Sequence, residues 1–203
     1  MRLLNLLAPA ALAASASLQP RQSPQITVSA INATGTLCSE NTWVSVVSLD
    51  NNNFVVGFDE NIVSTPVGLS RGDCTIEATL LYPPGCTTAL ITPYAKSFMS
   101  GVAGISTFMD VAVSLSTGRR ASGAEEYVNR GPALDNGAAI YSLRYPIDGS
   151  IGVNDAEGRE VVLTVEMGLQ IQSTDETSGT FALDSVVVDI VTEIHNPDYE
   201  NCM

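Results

Sequence analysis

Positive charge is scarce in this chain. Nine Lys and Arg residues stand against 22 Asp and Glu residues, the formal net charge at pH 7 is −13, and Lys96 is the only lysine. Such a surface repels nucleic acid and anionic membranes, because both carry negative charge themselves. We therefore expect no nucleic-acid partner, and we interpret the acidity as an aid to solubility outside the cell.

Histidine is equally scarce, since His195 is the only one. A Ser-His-Asp triad needs a histidine held between an alcohol and a carboxylate, whereas His195 lies in TEIHNPDYENC, past the last predicted strand. The chain has no Cys-x-x-Cys spacing for zinc. The segments DNNNF and GVNDAEG do not match the calcium-binding loop, and Asp and Asn favour tight turns in any case. We expect a non-enzymatic protein without catalytic residues, metal or cofactor.

Long apolar runs are missing except near the start of the chain. Arg2 precedes the apolar segment Leu3 to Ala14, and small residues follow it. This pattern predicts a cleaved secretory signal peptide over residues 1–16, although Ala11-Leu12-Ala13 allows an earlier cut. The run is too short for a hydrocarbon core of about 30 Å. We expect a secreted, extracellular protein with no membrane span.

One domain is predicted downstream of the signal peptide. Residues 17–25, with the sequence SLQPRQSPQ from Ser17 onward, are predicted to form a flexible leader, and residues 26–203 the domain. A chain of this size buries roughly 70% of its unfolded surface as one domain. A second domain is not required.

Four cysteines enter an oxidising compartment if the chain is exported. An even number of cysteines there predicts structural disulfides, and four cysteines allow three pairings. They are Cys38, Cys74, Cys86 and Cys202. Asn32-Ala33-Thr34 is the only acceptor for N-glycosylation, which predicts a glycan on Asn32 in an exported protein.

Alternating apolar and polar residues dominate the sequence. In REVVLTVEMGLQIQ every second residue from Val161 to Ile171 is apolar, while Glu160, Thr164 and Glu166 fall on the other face. About nine such segments, separated by turn signals and without helical periodicity, predict an all-β fold: a single antiparallel β-sandwich. Their locations are residues 26–31, 43–49, 53–59, 74–82, 89–97, 104–115, 138–145, 159–172 and 181–194.

Three local features qualify this pattern. Pro93 cannot donate to a strand ladder, so its strand is expected to be an edge strand or bulged. The segment from Ser116 to Gly137 is predicted to be a long loop. Arg71-Gly72-Asp73 matches an adhesion tripeptide, but we interpret it as the turn before a strand on which Cys74 points inward.

A family resemblance is carried by ATGTLC, DNNNFVVGFDE, RGDCTIEATLLYPPG and PYAKSFMSGVAGI, between Ile26 and Leu115. With these motifs the chain resembles the fungal secreted proteins of the domain of unknown function DUF4360. The resemblance implies an extracellular, β-rich, disulfide-bonded domain and no established activity. We expect Cys38 to pair with Cys74, because they flank the Phe-rich segment of the resemblance, and Cys86 to pair with Cys202, which would tether the tail.

Two functions remain open at this point. The first is a secreted protein that acts through its surface in a structural, cell-wall-associated or host-interaction role, with an extracellular protein or glycan as its partner. The alternative is a carbohydrate-binding or weakly glycoside-hydrolysing protein, whose two carboxylates would stand about 5 to 10 Å apart. A sugar site should gather two or more aromatic residues in one groove near acids, whereas an interaction protein should scatter them. The aromatic candidates are Trp43, Tyr94, Tyr127, Tyr145 and Tyr199, and the acids are Glu77, Asp110, Glu125, Glu126, Glu166 and Asp189.

Overall fold

The computed structural model describes residues 25–50, 52–59, 62–65, 68–101, 105–128, 139–153, 157–173 and 179–193. Within them the chain forms thirteen β-strands and no helix, and every strand pair is antiparallel. The strands are β1 (Thr27–Thr34), β2 (Trp43–Val47), β3 (Asn53–Phe58), β4 (Ile62–Thr65), β5 (Gly68–Tyr82), β6 (Gly85–Gly101), β7 (Ile105–Leu115), β8 (Arg120–Val128), β9 (Ala139–Arg144), β10 (Ile147–Asp148), β11 (Ile151–Val153), β12 (Arg159–Ser173) and β13 (Gly179–Glu193).

The strands form the two sheets of a β-sandwich. The five-stranded sheet has the order β1-β5-β12-β7-β8. The eight-stranded sheet has the order β10-β6-β13-β3-β2, with β9 and β11 also paired to β6 and β4 paired to β13. The predicted all-β class and antiparallel sandwich are thereby confirmed. Residues 1–24 lie outside the described residues, so the signal peptide and leader stay predictions.

A continuous apolar core fills the space between the sheets. The alternation predicted for β12 is confirmed, because its alternate residues from Val161 to Ile171 are all buried. Strand β7 contributes the buried residues Ile105, Met109, Val111, Val113 and Leu115, and the eight-stranded sheet contributes Phe54, Val56, Phe181, Val186 and Val188. Each buried leucine- or phenylalanine-sized side chain contributes about 1.5 to 3 kcal/mol by leaving water. Burial of these apolar strand faces therefore supplies the main free energy that holds the two sheets together.

All nine predicted strand segments contain strands, but the described part of the chain holds thirteen rather than about nine. The predicted loop from Ser116 to Gly137 is wrong over its first half, because Arg120–Val128 is strand β8. Strand β8 pairs along β7 through backbone hydrogen bonds, which do not depend on the weak apolar pattern of its side chains. Residues 129–138 lie outside the described residues.

The expectation that Pro93 lies on an edge strand or at a bulge is wrong. Strand β6 is not an edge strand, since Pro93 faces Val188 of β13 on one side. On its other side, β10 pairs with Leu90 and Ile91, and β9 ends at Arg144, opposite Tyr94. Pro93 therefore stands in the gap between two short partner strands, where no ladder donor is needed.

The turn predicted at Arg71-Gly72-Asp73 is wrong. The tripeptide lies inside β5, where its residues face Gln170, Leu169 and Gly168 of β12. Gly72 is needed there because a Cβ atom would lie 2.6 Å from a methyl carbon of Leu37. The tripeptide is therefore a regular part of a sheet and not a protruding loop.

Candidate functional site

Trp43 stands in the wall of two open hollows at the end of β2. One hollow, of about 440 Å³, is also lined by Asn32, Cys38, Glu40 and Asn41. The other, of about 430 Å³, is also lined by Asn41, Phe58, Asp59, Asp184 and Ser185. Trp43 and Asn41 are common to both. An aromatic wall beside carboxylates and amides is suited to ligands with both apolar faces and hydroxyl groups.

A tight turn brings Asn41 between the two hollows. The Thr42 N–H donates to the Ser39 carbonyl at 3.1 Å, and the Thr42 hydroxyl donates to the same oxygen at 2.9 Å. Asn41 has a left-handed backbone with φ of 71°, which Asn tolerates better than most residues. Trp43 then enters β2 directly opposite Phe58 and packs partly against the core. The position of Asn41 between the hollows is thus fixed by the turn from Ser39 to Thr42.

The segment before this turn is fixed to β5 by a disulfide. Cys38 and Cys74 are bonded and fully buried, with their Cα atoms 5.5 Å apart. The Leu37 N–H donates to the Asp73 carbonyl at 2.9 Å, and the Thr36 hydroxyl donates to the Asp73 carboxylate at 2.8 Å. The predicted Cys38–Cys74 bridge is confirmed, as is the inward orientation of Cys74.

The second predicted bridge falls where the structure gives no side chains. Cys86 lies on β6, with its backbone opposite Gly152. Its side chain and all of Cys202 lie outside the described residues. The Cys86–Cys202 bridge stays a prediction.

The outer face of the eight-stranded sheet carries a transverse row that crosses five strands. Its residues face one another in register, and we call them the valine–tyrosine row: Val46, Val55, Val187, Tyr94 and Arg144. Val46 is 65% exposed, and the Arg144 guanidinium lies 4.9 Å from the centre of the Tyr94 ring, within cation–π distance. The row is therefore a line of valine and tyrosine side chains, exposed at Val46 and half-buried at Val55, Val187 and Tyr94, that ends in a cation.

The outer face of the five-stranded sheet is polar and acidic by contrast. Its carboxylates include Asp73, Glu77, Asp110, Glu126 and Glu166, with Arg71 and Arg120 among its cations. A hollow of about 270 Å³ lies here between β12, β7 and β8, lined by Ser106, Phe108, Glu126, Gln170 and Gln172. The two outer faces therefore differ in charge and in apolar character.

Two ionisable groups with shifted pKa values lie elsewhere. Burial raises the pKa of the fully buried Tyr82 hydroxyl, and the nearby Asp148 charge adds to this. Hydrogen bonds from the side chain and backbone of Ser150 lower the pKa of Asp148. Asp148, at the end of β10, also forms an ion pair with Arg119 at 3.4 Å. Arg119 lies in the turn between β7 and β8, so the pair joins one sheet to the other. Neither group lines the hollows beside Trp43 or Phe108.

The predicted aromatic candidates are scattered among the described residues. Trp43 lines its two hollows and Tyr94 lies in the valine–tyrosine row. Tyr145 is half-buried and packs over Gly123 of β8, where any Cβ atom would clash with its ring. The side chain of Tyr127 and all of Tyr199 lie outside the described residues. None of the three hollows gathers two of these residues.

The remaining predicted residues are also spread out. Asn32 is exposed on β1 and lines a Trp43 hollow. Glu77, Asp110 and Glu166 lie on the acidic outer face, and Asp189 lies on the opposite outer face. The side chain of Glu125 and all of His195 lie outside the described residues. Sequence reasoning missed Asn41 and Arg144, which carry no motif and gain neighbours only through the fold.

Two features are absent from the part of the chain that the structure describes, a metal-binding cluster and a membrane-spanning helix. There, no group of three or more His, Cys, Asp and Glu side chains is placed to hold a metal ion. No helix in that part of the chain is long and apolar enough to cross a membrane.

Comparisons with known proteins give one family and several distant structural likenesses. No curated protein matches the chain. The structure of TmCBM61 in complex with beta-1,4-galactotriose is 12% identical with a TM-score of 0.27, over 82% of this chain and 91% of that chain. Tailspike protein 4 of bacteriophage CBA120 is 11% identical with a TM-score of 0.21, over 80% of this chain and 19% of that chain. Likenesses this distant do not bear on what the chain binds. The model of the domain of unknown function (DUF4360) matches residues 24–202, and the chain therefore belongs to this family.

Proposed function

We propose that the protein is a secreted, non-enzymatic protein that binds an extracellular protein through the outer face of its eight-stranded sheet. The observation that carries the proposal is the valine–tyrosine row, a partly exposed line of apolar and aromatic side chains on a chain with a net charge of −13. Apolar surface that stays accessible across several neighbouring strands marks interaction sites in soluble proteins. Arg144 at the end of the row favours a partner with an acidic group beside an apolar face.

The scattered aromatic residues support binding in preference to catalysis. The hollow at Phe108 has one carboxylate, Glu126, in its wall, whereas glycoside hydrolysis needs a pair. Asp59 and Asp184 share a hollow beside Trp43, but both are exposed. A general acid for this reaction needs an apolar environment that keeps it protonated. Surface recognition therefore fits these residues better than hydrolysis does.

Secretion is supported by the buried Cys38–Cys74 disulfide, since disulfides persist in oxidising compartments. The test is mass spectrometry of the protein exported by its producing cells. We expect the mature chain to begin after Ala16 or at an earlier cut near Ala13. Recovery of the exported protein with Met1 intact would contradict the signal-peptide part of the proposal.

The contact surface is tested by placing a photo-crosslinking amino acid on each outer face in turn. Position Tyr94 samples the valine–tyrosine row, and position Phe108, which is 36% exposed, is the matched aromatic control on the opposite face. In the native extracellular medium we expect one discrete crosslinked species from position 94 that Arg144→Glu abolishes. Equal crosslinking from both positions, or none from position 94, would contradict the proposal.

Glycan binding at Trp43 is the second candidate, favoured by the sharing of one tryptophan between two hollows that also hold carboxylates. A glycan array with the exported protein tests it. Asp184→Ala should weaken any binding at least tenfold, roughly the loss of one hydrogen bond to a charged group. Asp110→Ala, on the opposite outer face, is the control. Equal effects of the two variants, or no glycan bound at all, would exclude this candidate.

A further inference from the structure

The free edges of the two sheets are protected unequally. Natural proteins guard edge strands with charges, bulges, proline or short length, because an unpaired edge can pair with another chain. Strand β1 has a register irregularity between Val28 and Ala30, and β8 carries Arg120 and Glu126. Strands β4, β10 and β11 are four, two and three residues long, and β9 carries Arg144. Each of these edges has at least one device against pairing.

Among the strands that the structure describes, β2 alone has none of these devices. Its sequence, WVSVV, contains no charge and no proline, and it pairs with β3 in unbroken register. Val44 is 70% exposed and Val46 is 65% exposed on its outer face. Ser45, on the alternate face, is exposed as well. Nothing in the described part of the chain pairs with its outer edge.

The hydrogen bonds to β3 show which backbone groups this edge offers. The Asp59 N–H donates to the Thr42 carbonyl at 2.8 Å, and the Ser48 N–H donates to the Asn53 carbonyl at 3.0 Å. In an antiparallel ladder these bonds alternate along a strand. Residues 42, 44, 46 and 48 therefore point their backbone groups at β3. Those of Trp43, Ser45 and Val47 point outward to the free edge.

We propose that β2 pairs with β2 of a second copy of this chain, antiparallel about a two-fold axis at Ser45. In this register Ser45 faces Ser45 of the partner subunit, and Trp43 faces Val47 of the partner subunit. The outward backbone groups then satisfy one another in roughly six hydrogen bonds, two for each of three facing pairs. The exposed valines also meet, because Val44 lies opposite Val46 of the partner subunit on the outer face.

The uncharged and symmetric sequence of β2 favours a second copy as its partner, and the charges around it predict how the pairing responds to salt. The copies repel each other overall, since each carries a net charge of −13, but β2 is uncharged and its pattern of apolar and polar residues is symmetric about Ser45. The exposed carboxylates Glu40, Asp50 and Asp59 lie just beyond the ends of β2 and β3. Added salt screens their repulsion. Association should therefore strengthen as ionic strength rises.

The interface is small. Five residues from each copy bury less than the roughly 1,200 Å² of a standard interface. The dimer should therefore be weak and concentration-dependent, with a dissociation constant in the micromolar to millimolar range.

Sedimentation velocity over a concentration series tests the pairing with the full mature chain. A variant with Val44→Lys and Val46→Lys should associate at least tenfold more weakly, because like charges face each other across the joint. Val191→Lys is the matched control: Val191 is 53% exposed on the same outer face, but it lies on the interior strand β13. The control should dimerise like the wild type.

A charge-swap experiment separates this pairing from a general loss of structure. A second variant carries Val44→Glu and Val46→Glu and should also be monomeric alone. Mixed with the lysine variant it should form a heterodimer, since opposite charges now face each other. Three outcomes would each overturn the inference: failure of the mixture to associate, a wild type that stays monomeric throughout the series, or protection of the outward amides of Trp43, Ser45 and Val47 from hydrogen exchange in the monomer. The crosslink from position Tyr94 reports on the proposed partner independently of these results.

Discussion

Removing the Cys38–Cys74 bond should destabilise the domain more than any single exposed substitution. The bond closes a loop with a sequence separation of 36 residues. On the loop-entropy relation this restriction of the unfolded chain stabilises the fold by about 4 kcal/mol. The net stability of a domain is about 5 to 15 kcal/mol, so the bond accounts for a large part of it. Both cysteines are fully buried, and alanine at both sites avoids introducing a polar group.

The assay is equilibrium urea unfolding and thermal melting of the double variant Cys38→Ala, Cys74→Ala. For a domain of this size 1 kcal/mol corresponds to about 2 to 4 °C, so the melting temperature should fall by about 8 to 16 °C. Cys74→Ser should be worse than Cys74→Ala, because a buried hydroxyl without a partner costs about 1 to 3 kcal/mol more. A larger urea m-value should accompany the change, because the unfolded chain is no longer held compact.

The control is Asp73→Asn, immediately beside the bond. Asp73 is exposed, and its hydrogen bond from Thr36 can be kept by the amide oxygen. It should cost less than about 1 kcal/mol. A double cysteine variant that melts within about 1 kcal/mol of the wild type would refute the loop-entropy reasoning. If Asp73→Asn instead abolished cell attachment, the tripeptide in β5 would have an adhesion role despite its position inside a sheet.

Three further variants test local features of the structure. Tyr82→Phe should leave stability within about 1 kcal/mol of the wild type or raise it, because it removes a buried hydroxyl with no partner among the described residues; a clear loss in urea unfolding would reveal a partner. Asp148→Asn should make the free energy of unfolding depend less on pH in acid. The pKa of Asp148 is lowered in the folded protein, so its ionised form stabilises the fold above the ordinary pKa of 3.8. This contribution is lost as pH falls through the folded pKa. Melting curves of both proteins across that range check the sign, and parallel profiles would contradict it. Gly35→Ala should cost about 1 to 3 kcal/mol or more, because Gly35 has φ of 141° and a Cβ atom would lie 2.9 Å from the Cα of Cys74; wild-type melting would contradict this account.

The period of two along each strand made the core predictable from the sequence. In β12 every second residue is apolar, and a β-strand places alternate residues on opposite faces, so the sequence determines which side is buried. The same reasoning placed Cys74 inside. These inferences concern one strand at a time, and they required no knowledge of its neighbours.

Glycine and weak alternation misled the sequence reasoning at two places. Gly72 suggested a turn, but it lies inside β5. The residue there is glycine because Leu37, far away in the sequence, occupies the space that a larger side chain would need. Strand β8 is the edge strand of the five-stranded sheet and pairs only with β7 among the described strands. It buries little of its surface in the core, and its sequence accordingly contains few large apolar residues. Both errors arise because a tertiary neighbour determined the local structure.

The candidate surfaces depend on strand order, which no local pattern contains. The valine–tyrosine row joins residues from five strands, in the spatial order β2-β3-β13-β6-β9, into one line. Val46 and Arg144 carry no motif in the sequence, and their significance comes from strand pairing that the chain reaches only when folded. Conversely, the lack of charge in WVSVV was visible in the sequence but had no meaning before β2 was known to be an edge strand.

The disulfide also links the stability of the domain to the proposed self-association. Cys38 lies in the wall of a Trp43 hollow, and the turn at Asn41 leads directly from it into β2. The bond to Cys74 therefore fixes where the edge strand begins. Loss of the bond should weaken self-association as well as stability, even where the variant remains folded. Lysine at Val44 and Val46 should weaken association while leaving stability near that of the wild type, since both side chains are exposed. If the folded double cysteine variant dimerised as tightly as the wild type, β2 would be positioned by its pairing with β3 and not by the disulfide.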